Sequence, residues 1–515
     1  MSNNHVLSIV VSSHHFKVLN PTPRAIPTIM SFCSRYTLYQ WVKEGRGKSV
    51  YKATKVFAVR TKNSREFRFH IGQLKDFLVY LERDYISEAM YSISYIPMFT
   101  PVNIEVALRP GWALRDYQEP VHTFMVEDAV DDNRSRLAAM PTGSGKGMTS
   151  LSAIATLKTR TLVTVLPTYL LKWAAEINQI LTVDNKEIMI IQGSKQLKGL
   201  IDMALEGQLT SKFILISLKT IQNFYKTYEL DPSSLEEEGY NCSPEDLCRV
   251  LGIGTVILDE THQHLHAIYK FLTYTHVPKV IALSATLLSD DPTITKVQHM
   301  MFPKEIRYDS IKKEKYVKCY SVSYQFEDIR RSGIRTSEYG SKNYSHIAFE
   351  RSIVKNRSVV KSYMGMIDYL IDIGYIETYE PGDKLIIFVS SIDFCTMLTN
   401  YLKQRYPSLD VRRYVEQDPY VNAIEADIRV TTVLSAGTAL DIPQLATAIQ
   451  TVNLKSSQSN LQTLGRLRKL KDKDVKFYYV YCNQIPKHHE YHEHRMDLFQ
   501  DQVASIKEFK YPYPI

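Results

Sequence analysis

The chain is predicted to be an α/β protein: two parallel-sheet lobes in tandem, preceded by a small basic α+β domain. Three observations predict this. Short, strongly apolar runs recur through residues 106–480 with helical stretches between them, as strands buried on both faces of a parallel sheet require. The alternation is broken once, over about 303–350, by a segment rich in Lys, Arg, Ser and Tyr. The first 105 residues differ in kind, with short alternating runs and a surplus of cations. At 515 residues the chain also exceeds one compact core. The expected domains are therefore 1–105, 106–305 and 306–515.

In the first domain, Val6–Val11 is a candidate buried strand, too short for a secretory signal. Lys55–Arg60 and Glu66–Ile71 alternate and are joined by Thr61-Lys62-Asn63-Ser64, which predicts a hairpin. Leu74–Arg83 has helical spacing. Residues 35–75 hold eleven Lys or Arg against two acidic side chains. Arg35, Tyr36, Trp41, Lys43, Arg46, Lys48, Tyr51 and Lys52 interleave cations with rings, which suits phosphate contact and base stacking. A solvated basic face around an ordinary core is the alternative. The first lobe's strands are expected at Arg160–Leu166, Glu187–Gln192, Lys212–Ser217, Gly254–Leu258 and Lys279–Leu283. Residues 303–350 read as a linker with some strand content. The second lobe's strands are expected at Lys384–Ser390, Val411–Val415, Ile428–Leu434, Thr447–Val452 and Val475–Tyr481.

The chemistry concentrates at strand ends. Leu137–Met140, then Pro141-Thr142-Gly143-Ser144-Gly145-Lys146-Gly147, then a helical segment to about Lys158 make a strand, a small flexible loop and a helix. Such a loop wraps phosphates with backbone N–H groups and adds a helix N-terminus and a Lys. It departs from the strict pattern at Met140, where Gly is usual, and at Gly147, where Ser or Thr is usual. Val256-Ile257-Leu258 leads into Asp259-Glu260-Thr261-His262, putting adjacent carboxylates at a sheet edge. There Asp259 can hold the water shell of Mg²⁺ and Glu260 can deprotonate an attacking water. Ser284 and Thr286 end another strand with hydroxyls suited to His262. Upstream, the Gln118 amide in Leu114–Gln118 can read an adenine edge. Gln462–Lys469 offers Arg466 and Arg468 to phosphates.

Taken in order, these segments resemble the superfamily-two DExH helicases and translocases. LRDYQ resembles the adenine-recognition motif, MPTGSGKG motif I, VLPTYLLKWAAE motif Ia, DETH motif II, LSAT motif III, LIIFVSS motif IV, AGTALDIP motif V and QTLGRLRK motif VI. The resemblance implies two RecA-like lobes with ATP between them and a nucleic-acid strand crossing both. It places Arg115 and Gln118 on adenine, and Thr142, Gly143, Ser144, Gly145, Lys146 and Gly147 around the phosphates. Gly437 and Asp441 fall on nucleotide or ribose, Asp259 on Mg²⁺, and Glu260 becomes the base. Arg466 and Arg468 would be the arginine fingers, although motif VI usually has two residues between its arginines and only Leu467 intervenes here. His262, Ser284, Thr286 and Gln462 would couple hydrolysis to movement. Pro167, Thr168, Lys172, Trp173, Ser217, Ser391 and Thr432 lie where the family contacts the strand. Gly147 lacks the hydroxyl that normally ligates Mg²⁺, so water is expected to take its place and Mg²⁺ affinity to fall.

The DETH box, Trp173 and Gln462 resemble DNA translocases of the XPB, restriction-translocase and UvsW kinds. The basic N-terminal domain and short tail resemble the UvsW-type phage recombination and branch-migration helicases. The expected function is ATP-dependent unwinding or branch migration of branched DNA, with ATP and Mg²⁺ as cofactors. Recombination or replication proteins are possible partners, a monomer is favoured, and the expected setting is the cytoplasm (the host's, for a phage protein). An RNA helicase, a restriction-type translocase subunit and a non-catalytic DNA clamp remain alternatives. A net charge of +8 suits a polyanion. No apolar stretch approaches the ~20 residues of a membrane span. Six scattered cysteines without CxxC pairs suggest reduced thiols. In the tail, Lys487–His494 places HEYH one residue short of the HExxH zinc pattern, so a polar helix face is expected there.

Overall fold

In the computed structural model the chain divides into two units, Met1–Ile311 and Lys312–Ile515. The structure describes residues 6–44, 48–60, 66–128, 133–141, 143–285, 291–309, 314–339, 343–415, 418–436, 442–471 and 473–515, without the side chains of 43, 44, 48, 49 and 436.

The first unit begins with a five-stranded sheet in the order Val59–Arg60, Glu66–His70, His15–Leu19, Leu7–Val11, Tyr91–Tyr95. Its pairs are antiparallel except Leu7–Val11 with Tyr91–Tyr95. Helices Ile26–Arg35 and Leu74–Arg83 cover one face, where the Phe32 and Phe77 rings lie 5.1 Å apart and Phe16 and Phe69 5.2 Å apart. The run Lys55–Arg60 does not form one strand. Lys55 and Val56 end the strand Lys48–Val56, which pairs only with Thr37–Glu44, while Val59–Arg60 join the sheet. The break falls at Phe57, which is fully buried and whose carbonyl accepts the Tyr269 hydroxyl at 2.7 Å.

This sheet packs on the first lobe through buried polar contacts. Glu245 takes Lys17 at 2.7 Å and also the buried Arg68. Burial pushes the Glu245 carboxyl up, but Arg68 and Lys17 outweigh it and hold it down at about 2. The first lobe is a seven-stranded, all-parallel sheet in the order Ile188–Ile191, Phe213–Ser217, Thr161–Val165, Thr255–Leu258, Lys279–Ser284, Ser135–Ala139, Arg307–Tyr308.

The second unit has another seven-stranded, all-parallel sheet. Its order is Val411–Tyr414, Ile428–Thr432, Lys384–Val389, Leu445–Gln450, Val475–Cys482, Val317–Tyr324, Ser505–Lys510. The fold class is thus the expected one, with differences in detail. The region 303–350 holds the junction between the two units, as a linker would, but its strand content is larger than expected. Val317–Tyr324 is an interior strand of the second sheet, and Arg307–Tyr308 extends the first. Its tyrosines and serines hide it from an apolarity criterion, yet it is paired along both edges. Ser505–Lys510 is an edge strand the composition does not mark.

The tail helix Pro486–Gln500 also differs. His488, His492, Arg495 and Phe499 share a face that is buried, so part of the polar face expected at Lys487–His494 is packed into the protein. His488 Nδ1 accepts the Cys482 N–H at 3.0 Å, and the His492 ring stacks on Tyr481 at 4.0 Å. Among the described residues, no three His, Cys, Asp or Glu are grouped so as to hold a metal. No helix among them is long and apolar enough to cross a membrane.

Candidate active site

Parallel strands deliver their loops to one edge, and three such exits meet in the first lobe. Ser135–Ala139 leads to the glycine-rich loop, Thr255–Leu258 to Asp259 and Lys279–Ser284 to Ala285. Backbone bonds hold the exits together: Met140 N–H donates to Ser284 O at 2.9 Å and Thr261 N–H to Leu283 O at 3.0 Å. Met140 is wholly buried, so its side chain serves as core at the strand exit.

The loop needs glycine where its backbone turns left-handed, at Gly143 (φ 84°) and Gly145 (φ 80°). Gly145 then caps the twelve-residue helix Lys146–Leu157, whose first N–H groups and positive end suit an anion. A Cβ on Gly145 would also collide with Gln118 Nε2. Gln118 is buried, and both ends of its amide are engaged. Oε1 accepts the Arg115 N–H at 2.9 Å, while Nε2 donates to Ser144 O at 3.0 Å and Gly145 O at 3.3 Å. The Tyr117 hydroxyl also donates to Ser144 O, at 3.2 Å, and takes Arg115 Nη1 at 3.1 Å. The segment Leu114–Gln118 therefore clamps the loop from its amino-terminal side.

Across the loop, Lys146 Nζ lies 3.3 Å from Glu260 Oε1. Glu260 sits at φ 49°, a conformation that costs a side-chain-bearing residue about 1–2 kcal/mol. His262 Nε2 is 3.3 Å from Glu260 Oε2, and His262 Nδ1 hydrogen-bonds the Ser284 hydroxyl at 2.8 Å. Burial first, and Lys146 second, hold the His262 imidazole down to about 3, so the ring is neutral near pH 7. Asp259 accepts two bonds. Glu260 N–H donates to Oδ1 at 2.8 Å, and Trp173 Nε1–H donates to Oδ2 at 3.1 Å. Burial nevertheless pushes the Asp259 carboxyl up, with Glu260 adding to the rise and Lys146 opposing it.

That push comes first from burial, and a cation beside the carboxylate would offset it. Hard carboxylate oxygens fit Mg²⁺, which is held by one or two carboxylates, phosphates and waters. Asp259 is the residue that would hold it.

The other predicted residues fall as follows. Pro167 and Thr168 form a short turn before the helix Leu170–Ile180. Lys172 on that helix is exposed, and Trp173 turns inward, only 3% exposed, as the Asp259 donor. Ser217 is buried and caps the helix Leu218–Leu230. In the second unit, Ser391 caps Ile392–Arg405 and donates its hydroxyl to Glu350. The Thr432 hydroxyl donates to Ser435 Oγ at 2.8 Å. Gln462 lies on the helix Ser457–Leu464, and both arginines follow its end: Arg466 buried, Arg468 half-buried. Thr142, Thr286, Gly437 and Asp441 lie outside the described residues. Sequence reasoning missed the Gln118 clamp, the Trp173 bond and Glu176, whose carboxylate lies over Gly147. Only the last letter of the motif Ia segment hinted at Glu176.

Residues 112–289 match the family model described as "Type III restriction enzyme, res subunit". The XPB helicase/translocase subunit of the TFIIH basal transcription factor complex of Trypanosoma brucei brucei is 23% identical over 403 residues, 72% of this chain and 39% of its own. The general transcription and DNA repair factor IIH helicase/translocase subunit XPB of Dictyostelium discoideum is 23% identical over 431 residues, 79% and 48%. The chain is similar to superfamily-two helicases. It spans less than half the length of these two curated relatives. The Hef helicase domain of Pyrococcus furiosus aligns over 74% of this chain and 98% of its own, at 14% identity and a TM-score of 0.45.

Proposed function

We propose that the chain is an ATP-driven DNA helicase or translocase that unwinds or branch-migrates branched DNA. One observation carries the reading: Lys146 from the loop and Glu260 from the end of Thr255–Leu258 pair at 3.3 Å across the intervening strand Lys279–Ser284, beside Asp259 and the His262–Ser284 bond. Phosphates entering the loop would draw Lys146 away and free Glu260 Oε1 to accept a proton from water. The neutral His262, bonded to Ser284 on the adjacent strand, would then feel a changed charge at Glu260 and pass it into the sheet. Mg²⁺, when bound, would neutralise charge on the phosphates. Arg466 and Arg468 are proposed to add positive charge there.

The ribbon Thr37–Glu44/Lys48–Val56 is proposed as a DNA contact. Trp41 (71% exposed) and Tyr51 (57%) stand on it with ring centroids 5.4 Å apart, and Tyr39 stacks on Tyr51 at 5.7 Å. Exposed stacked rings beside Lys52 and Lys55 offer what unpaired bases at a junction need. Phosphate contacts would favour branched shape over sequence.

The experiment is ATP hydrolysis and strand displacement on single-stranded, duplex, forked, three-way and four-way DNA and on RNA. Branch-dependent activity is expected. The match to a restriction-enzyme subunit favours a second reading, a duplex translocase, and full stimulation by linear duplex would select it. Stimulation by RNA alone would reject both. Glu260→Gln is expected to lower turnover at least ~100-fold; unchanged turnover would leave a non-catalytic clamp.

A further inference from the structure

Gly147 sits where a phosphate loop ordinarily carries a hydroxyl for the divalent cation. The space is not empty. A Cβ built on Gly147 would collide with Glu176 Oε2, so a carboxylate oxygen already lies where a side chain at 147 would start. Glu176 belongs to the helix Leu170–Ile180, three residues after Trp173, and side chains three apart share a helix face. Trp173 on that face donates to Asp259 Oδ2 at 3.1 Å. One helix therefore presents its indole to the candidate cation carboxylate and its next acidic group to the residue that lacks its hydroxyl. Lys172 on the same helix lies 3.7 Å from Glu176 and is 46% exposed, so this pair contributes little.

We propose that Glu176 replaces the missing hydroxyl, making it a cation-site oxygen supplied from the neighbouring helix. Gly147 and Glu176 are then one compensated pair: the glycine makes room for the carboxylate, and the carboxylate supplies the oxygen. The consequence reverses the expectation of weakened Mg²⁺ affinity, since a neutral hydroxyl gives way to an anion. This rests on the nucleotide-site reading above.

Mn²⁺ serves as the probe, its binding to the protein·ADP complex read by electron paramagnetic resonance, with ADP binding in chelator measured alongside. Glu176→Gln, of the same size, is expected to weaken Mn²⁺ binding roughly tenfold or more while metal-free ADP binding holds. Gly147→Ser alone is expected to weaken it too, because its side chain meets Glu176. In Glu176→Ala the same Gly147→Ser change is expected to restore binding. Mn²⁺ affinity unaltered in Glu176→Gln, or no restoration in the double variant, would overturn the pairing. Absence of ADP binding in the wild-type chain would instead overturn the nucleotide-site reading itself.

Discussion

Trp173→Phe isolates one hydrogen bond at the centre of the site. Phe keeps most of the packing of a side chain that is 3% exposed but removes the Nε1–H that reaches Asp259 Oδ2 at 3.1 Å. A hydrogen bond to a charged acceptor contributes about 1.5–3 kcal/mol, and leaving the acceptor buried without it costs a similar amount. Asp259 keeps only the 2.8 Å bond from Glu260 N–H, in surroundings that already push its carboxyl up through burial. At 1.36 kcal/mol per tenfold, losing the indole donor should move the acid limb of the ATPase pH profile upward by about one to two pH units. Hydrolysis should fall most at the acid end of the profile and be better retained at its alkaline end. Chemical denaturation at pH 7.5 should show the first unit losing about 1.5–3 kcal/mol. A pH profile superimposable on wild type, with unchanged stability, would refute the role given to this bond.

Gly145→Ala should abolish nucleotide binding, read by calorimetry with ADP, because the methyl collides with Gln118 Nε2 and a φ of 80° costs a further ~1 kcal/mol. Arg466→Ala and Arg468→Ala separate the candidate fingers: the true one should lower DNA-stimulated turnover by about 10³-fold with ADP affinity intact, and two unaffected variants would remove the assignment. In the first unit, His15, His70 and His262 are each held down to about 3, chiefly by burial. Their folded values lie below the unfolded 6.5, so the unfolded chain binds the extra protons and stability falls as pH drops from about 6.5 toward 3, by at most about 1.4 kcal/mol per histidine per pH unit. In the second unit His346, at about 3, acts the same way, but burial raises Glu350 to about 7, which costs stability as pH rises from about 4.5 through 7. Calorimetric scans at pH 7.5 and 5 should therefore show the first unit losing more than the second; equal losses would contradict these burials.

The parts of the fold readable from sequence were those whose physics is local. Strands such as Phe213–Ser217 are buried along their whole length, and apolar up to the final Ser217, because both faces of a parallel sheet are covered. The loop glycines announce a backbone that only glycine adopts cheaply. What escaped was decided by partners distant in sequence. Val317–Tyr324 looks like a polar linker until Val475–Cys482 and Ser505–Lys510 pair with its edges. The same holds inside the site. The sequence pattern placed Lys146, Asp259 and Glu260 at one edge of the sheet, but could not say that Gln118 spends its amide on the loop or that Trp173 faces Asp259.

Gly147 shows the distinction most sharply. Read along the chain, it is a lost ligand, because the motif compares each position only with its own usual residue. Read in space, the relevant question is which oxygen occupies that volume, and Glu176, 29 residues further on, brings one there. Trp173 on the same helix is bonded to Asp259, so a substitution that frees Trp173 should also loosen Glu176 over Gly147. Trp173→Phe should then weaken Mn²⁺ binding even at pH 8. An Mn²⁺ affinity equal to wild type at that pH would mean the two side chains act independently.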